Sequence, residues 1–291
     1  MPMGAIDLHT HTTHSDGSAS PMELVSLAAR YGARAIAITD HDTVSALSEG
    51  RQAADKAGIE FINGIEISAE FSPGTMHILG YFINEEGLEM QSTLSELKQA
   101  RERRNPQIAG NLRRLGFDVS YDEVAELAGN EVVGRPHFAR VLVRKGYASS
   151  IQDAFDRFLA KGAPAYEEKL RLSAAQAISL IHGAGGVAVL AHPYQLKMGS
   201  MEETEELVSG LSEIGLDGIE AVYSRHTPEQ RRLYSEMAER IGLVTTGGSD
   251  FHGTYKPDIA IVSGTGDLSV PYSLLEDLRK RALERRDAVA G

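Results

Sequence analysis

The feature that most constrains this chain is a recurrence: short apolar runs that finish in histidine, aspartate or glutamate. The first is AIDLHTH at residues 5–11. Side chains alternate across a strand, so Asp7, His9 and His11 share one face while Ile6 and Leu8 point into apolar packing. A His-x-His pair at a strand end offers two imidazole nitrogens to one metal ion. The second run, ARAIAITDHD (33–42), is continuous and apolar, as a strand buried on both faces requires, and ends in Asp40, His41 and Asp42. The third, 59–68, carries Glu66 near its end, and the fourth, 75–82, carries His77. Later runs at 187–193, 216–223 and 243–253 bring His192, then Asp250 and His252.

Helical patterns separate most of these runs. Ser20 as N-cap and Pro21 at the first helical position open one that ends at Gly32. Others span about 43–57, closed by Gly58, then 173–185, 202–215 and 227–242. Strand–helix alternation predicts a parallel sheet. In a barrel of parallel strands the C-terminal ends converge on one face, so His9 and Asp250 meet across almost the whole sequence. His9, His11, His77 and His192 with Glu66 and Asp250 suffice for two metals. Glu66, lying between the two groups of histidines, is the expected bridge. An all-nitrogen-and-oxygen set suits Mn, Fe or Zn.

The alternation breaks over 85–165, where the pattern is helical. We read residues 1–84 and 166–291 as the barrel domain and 85–165 as a helical insertion, a cap. Basic and acidic residues balance within 85–165, so the net charge of −12 lies in the remainder. That acidity argues against bulk electrostatic binding of nucleic acid. With no cysteine in the chain, disulfides, iron–sulfur clusters and thiolate zinc sites are excluded. No run is long enough to span a bilayer, and the N-terminus lacks the pattern of a secretory signal. The expectation is a cytoplasmic protein without a membrane partner, its oligomeric state left open.

The motifs IDLHTH, SDG, TDHD, GIEIS, AHP and GGSDFHG, in this order over nearly the whole chain, resemble those of the PHP (polymerase and histidinol phosphatase) superfamily. The resemblance implies an α/β fold, a distorted TIM-like (β/α)7 barrel, with a two- or three-metal phosphoesterase site. It implies one metal on His9, His11, Glu66 and Asp250 and a second on Glu66, His77 and His192, with Mn favoured. Asp16, His41 and His252 match third-metal positions. Many members carry histidine where Asp16 stands, so these three either hold a metal or contact the substrate phosphate or its leaving group. His252 or His41 is the expected general acid.

Arg101, Arg103 and Arg104 with the GRPH segment (134–137) resemble the cap of bacterial phosphatases acting on nucleoside 3′,5′-bisphosphates. A related branch trims RNA from its 5′ end. The implied partner is a small nucleotide, or short RNA. Metals would take the phosphate being cleaved, and cap arginines, Arg135 included, would fork onto the other. On a helix Arg101 and Arg104 share a face, with Arg103 rotated away. Amidohydrolases, which also place His-x-His on a first barrel strand, are the alternative of another class. Many of them bridge metals with a modified lysine where this chain offers Glu66. A non-catalytic metal-binding regulator is the remaining reading. Asp7 is expected to orient a ligand imidazole, His137 to orient Arg135 or bind, and His226 to pack or line the pocket. Gly247 and Gly248 are expected to permit close backbone approach.

Overall fold

The computed structural model describes residues 5–129 and 133–290, without the side chains of 289 and 290. Residues 1–4, on which part of the leader reading falls, lie outside them. The chain forms two compact units, Met1–Ser92 with Leu172–Gly291, and Thr93–Arg171.

The first unit opens with β1 (Ala5–Asp7), α1 (Pro21–Arg30), β2 (Ala35–Ile38), α2 (Leu47–Ala57), β3 (Glu60–Ala69) and β4 (Met76–Tyr81). The start of α1 follows from its sequence: Ser20 Oγ accepts from Glu23 N–H, Glu23 returns a bond to Ser20 N–H, and Pro21 follows the cap. After the second unit come α7 (Ala174–Gly183), β5 (Val187–Leu190), α8 (Met201–Glu213), β6 (Gly218–Tyr223), α9 (Pro228–Ile241), β7 (Val244–Gly248), β8 (Val270–Pro271) and α10 (Ser273–Ala290). The second unit holds most of α3 (Leu88–Arg114), then α4 (Tyr121–Ala128), α5 (Arg135–Arg144), α6 (Ile151–Ala154) and a π-helical turn Phe155–Leu159.

The eight strands are ordered β7-β6-β5-β4-β3-β2-β1-β8. Leu8 N–H donates to Gly247 O, and Thr10 bridges Phe251 in parallel, so β7 returns to β1 and nearly closes a barrel. Gly248 permits this approach: a Cβ there would lie 2.4 Å from that of His9. Ile6, Leu8, Ala35, Ile62, Val187 and Val189 pack in the core with Leu275 and Leu278 of α10.

Three features differ from the expected all-parallel seven-stranded pattern. β4 runs antiparallel to both β3 and β5. Only residues 70–75 join β3 to β4, too few for the crossover that a parallel pair needs. β8 is a two-residue strand antiparallel to β1, a length that leaves no periodicity to read. Glu66 lies inside β3, opposite Leu79, because β3 continues pairing with β4 after β2 has ended. In the second unit, α3 passes through Pro106 unbroken. That unit has its own core, with Ile108, Leu112, Val124, Phe138, Val141 and Leu142 buried together.

Candidate metal centre

Each cluster residue reaches the same end of the barrel by a different route. His9 and His11 follow β1, and His41 follows β2, bridged in parallel to Glu66. His77 is the second residue of β4. Because β4 is reversed, its beginning lies where the parallel strands end. His192 and Asp250 follow β5 and β7 with φ of 24° and 57°. These are left-handed values for non-glycine residues, the kind of strain that packing retains at functional sites.

Glu66 is the centre of the constellation. Its Oε1 lies 2.7 Å from His77 Nδ1 and 2.9 Å from His192 Nε2. Its Oε2 lies 3.2 Å from His9 Nε2, His11 Nε2 and His41 Nδ1. Asp250 Oδ1 is 3.2 Å from His11 Nε2 and 3.7 Å from His9 Nε2. His77 Nδ1 and His192 Nε2 are 3.4 Å apart, so with Glu66 they form a compact triad. His11, Asp16, His41 and His252 form a further group whose donor atoms lie within 4.8 Å of one another. All nine proposed cluster residues therefore come together.

These residues fit divalent cations. Ligand bonds of about 2.0–2.2 Å set neighbouring donors roughly 3–3.5 Å apart, the spacing found here. His41 Nδ1 is buried and makes no hydrogen bond despite its nearness to Glu66, as a lone pair directed at a shared point would. Burial opposes charge on Glu66, Asp16 and Asp250. Surrounding imidazoles outweigh it for Glu66 and Asp16, as do Lys256 and imidazoles for Asp250, and hold all three carboxyls well below their usual range. Burial pushes His41 down to about 3. For His11 burial acts the same way, but Asp250 and Glu66 overcome it and raise the group to about 9.

A second layer fixes these ligands, and the sequence reading missed it. Glu220, fully buried on β6, accepts from His9 Nδ1–H at 2.9 Å and from the His192 backbone N–H at 2.8 Å. It directs His9 Nε2 at the cluster, the role expected of Asp7. Asp7 does something else. It accepts from Ser249 N–H and Oγ–H and from Val262 N–H, at 2.8, 2.6 and 2.8 Å, tying β1 to β7 and the following loop. Regular β1 ends at Asp7, so the strict alternation that grouped it with His9 and His11 does not extend past it. The available signal for Glu220 was a carboxylate in the middle of the apolar stretch GIEAVY. Tyr223 and Lys256 also escaped the reading; both donate to Asp250 Oδ2, at 2.7 and 2.8 Å.

His137 Nδ1 accepts from Gly134 N–H and caps α5. His226 is buried among Tyr194, Tyr223 and Tyr234, with Nδ1 bonded to Ala221 O at 2.9 Å. In the helical unit Arg104 is 6% exposed, whereas Arg103 is exposed to solvent. Burial, then the charges of Arg101, Arg135 and Arg171, lower Arg104 to about 10. Arg135 donates to Leu159 O at 3.1 Å and lies over the Tyr166 ring.

The chain belongs to the PHP domain family, which it matches over residues 7–168. It is 37% identical over 246 residues to a 5′-3′ exoribonuclease of Haemophilus influenzae, covering 84% of this chain and 89% of that one. It is 34% identical over 251 residues to a 3′,5′-nucleoside bisphosphate phosphatase of Chromobacterium violaceum, covering 86% and 88%. A phosphoribosyl 1,2-cyclic phosphate 1,2-diphosphodiesterase of Eggerthella lenta is 34% identical over 256 residues, covering 86% and 94%. Among solved structures, one assigned as a metal-dependent phosphoesterase of Bifidobacterium adolescentis superposes with a TM-score of 0.83 at 29% identity, covering 97% of each chain. The chain is a metal-dependent phosphoesterase. Among the described residues no helix is long and apolar enough to cross a membrane.

Proposed function

We propose that this chain removes the 3′-phosphate from nucleoside 3′,5′-bisphosphates, yielding the 5′-monophosphate and inorganic phosphate. The observation that carries this reading is that one chain holds both a metal-ligand cluster and a group of arginines, in which Arg104 is buried and feels the charges of Arg101, Arg135 and Arg171. A substrate with two anionic groups answers both needs. The 34% identity to a bisphosphate phosphatase supports it.

His9, His11, Glu66 and Asp250 would hold one divalent ion and Glu66, His77 and His192 a second, with Mn preferred over Fe or Zn. Bound there, such ions supply charge for the phosphoryl oxygens and acidity for the attacking water. His252 donates the proton to the departing 3′-oxygen. Its Nδ1 is committed to Asp250 O at 2.8 Å, which leaves Nε2, 3.3 Å from Asp16 Oδ1, as the nitrogen that delivers the proton. His41, set against Glu66, serves the cluster rather than the leaving group. Arg104 and Arg135, with Arg101 beside them, bind the phosphate that is retained. Arg103, exposed beside them, is the third arginine of this segment placed to reach that phosphate.

A second reading keeps the site and lengthens the substrate to short 5′-phosphorylated RNA; the 37% identity to an exoribonuclease favours it. Phosphate release with added Mn separates the two, using adenosine 3′,5′-bisphosphate, adenosine 5′-monophosphate, histidinol phosphate and a 5′-phosphorylated RNA trimer. Fast release from the bisphosphate, with 5′-monophosphate as product, is expected. Nucleotide release from the trimer with an inert bisphosphate would reverse the assignment.

A further inference from the structure

Asp250 is held from two sides. Its Oδ1 faces His11 Nε2 at 3.2 Å and His252 Nδ1 at 3.4 Å, whereas its Oδ2 accepts from Tyr223 and Lys256. Lys256 follows the short turn Gly253–Tyr255. Thr254 N–H donates to Ser18 Oγ at 2.8 Å, and Gly253, at φ 66°, permits that contact: a Cβ there would lie 2.1 Å from the same oxygen. The backbone leading to Lys256 is thus tied to the loop that carries Asp16.

Among the described residues, Asp16 and Glu66 pair only with imidazoles, and Lys256 is the only lysine or arginine paired with Asp16, Glu66 or Asp250. An ammonium has three N–H donors. One goes to Asp250, and the other two have no protein acceptor among the described residues. The Lys256 side chain is 32% exposed and that of Asp250 only 3%, so the lysine is the more open of the two. The carboxylates around it, Asp16, Glu66 and Asp250, repel a phosphate dianion. Lys256 is the fixed positive charge beside them.

We propose that Lys256 contacts the phosphate being cleaved, its two unused N–H groups binding a non-bridging phosphoryl oxygen and, after cleavage, the inorganic phosphate product. The inference rests on the proposed placement of the scissile phosphate at this cluster.

The test is calorimetric titration of inorganic phosphate into the metal-loaded enzyme, with metal content measured on the same samples. Lys256→Met should weaken phosphate binding about tenfold or more, the size of a lost charge-assisted hydrogen bond, with metal content as in wild type. Lys256→Arg should recover most of the loss. Tyr223→Phe, which removes the other donor to Asp250 Oδ2, should leave phosphate affinity per bound metal unchanged. Equal affinity in Lys256→Met and wild type would overturn the proposal. So would a loss that merely follows metal content, which would make Lys256 a positioning residue for Asp250. Because the probe is inorganic phosphate, a wrong nucleotide assignment leaves this readout intact and appears instead as an inert bisphosphate.

Discussion

In the barrel unit each carboxylate of the cluster faces imidazoles, and Asp250 also has a tyrosine and a lysine. In the helical unit the buried guanidinium of Arg104 is surrounded by the charges of three other arginines. The first arrangement is compensated internally, so removing one member strands the others in a buried setting. In the second, Arg104 donates to the neutral Asn105 Oδ1, and an added anion would offset its charge. Substitutions in the two units should therefore move stability in different directions while both reduce function.

The largest effect belongs to Glu66→Gln. Five imidazoles lose their shared carboxylate, so phosphate release should fall by about three orders of magnitude or more and bound metal should fall with it. Thermal denaturation should show a cost of roughly 3–5 kcal/mol, as for a broken buried ion pair. Next comes Glu220→Gln. The fold should persist, but metal affinity, read by competition with a chelating dye, should drop about 10–100-fold because His9 loses its orienting acceptor. Arg104→Met sharpens the contrast. The KM for the bisphosphate should rise about 10–100-fold, with kcat little changed and no fall in melting temperature, since a self-repelling buried charge is gone. A fall in melting temperature would show that the arginines are compensated after all.

The smallest effect concerns His226, a buried group of the barrel unit without an ionic partner. Burial lowers it to about 4, against an ordinary value of 6.5. Between these values the unfolded chain takes up the proton and the folded chain does not, so stability is lost as pH falls through that window. His226→Gln should remove this loss, worth about 1 kcal/mol at pH 5.5. Urea denaturation at pH 7 and pH 5.5 checks it; equal acid slopes in both proteins would contradict the assignment.

The parts that could be read from sequence are those where local chemistry and local periodicity coincide. His9, His11, His41, His192, Asp250 and His252 each follow an apolar run, and the end of a parallel barrel strand is where such residues gather. His77 belongs to the same site, but the reversal of β4 was written only in the shortness of the connection at 70–75. Glu220 and Lys256 leave weaker traces. One is a single acid in an apolar strand whose partner His9 is far away in sequence, and the other an ordinary surface-type residue six positions after its partner Asp250. Asp7 shows the opposite failure. The alternation was carried to His9 and His11, beyond the regular strand that ends at Asp7, which assigned Asp7 a ring when it holds the Ser249 and Val262 backbone and the Ser249 hydroxyl.

The central claim is that the convergent cluster works by holding divalent ions. The most direct measurement is metal content of protein stripped with chelator and reloaded with Mn, read beside phosphate release from adenosine 3′,5′-bisphosphate. The account predicts at least two tightly bound equivalents per chain, no release from the stripped protein, and release restored on reloading. Release that persists after stripping, or a reloaded protein that retains no metal, would contradict it.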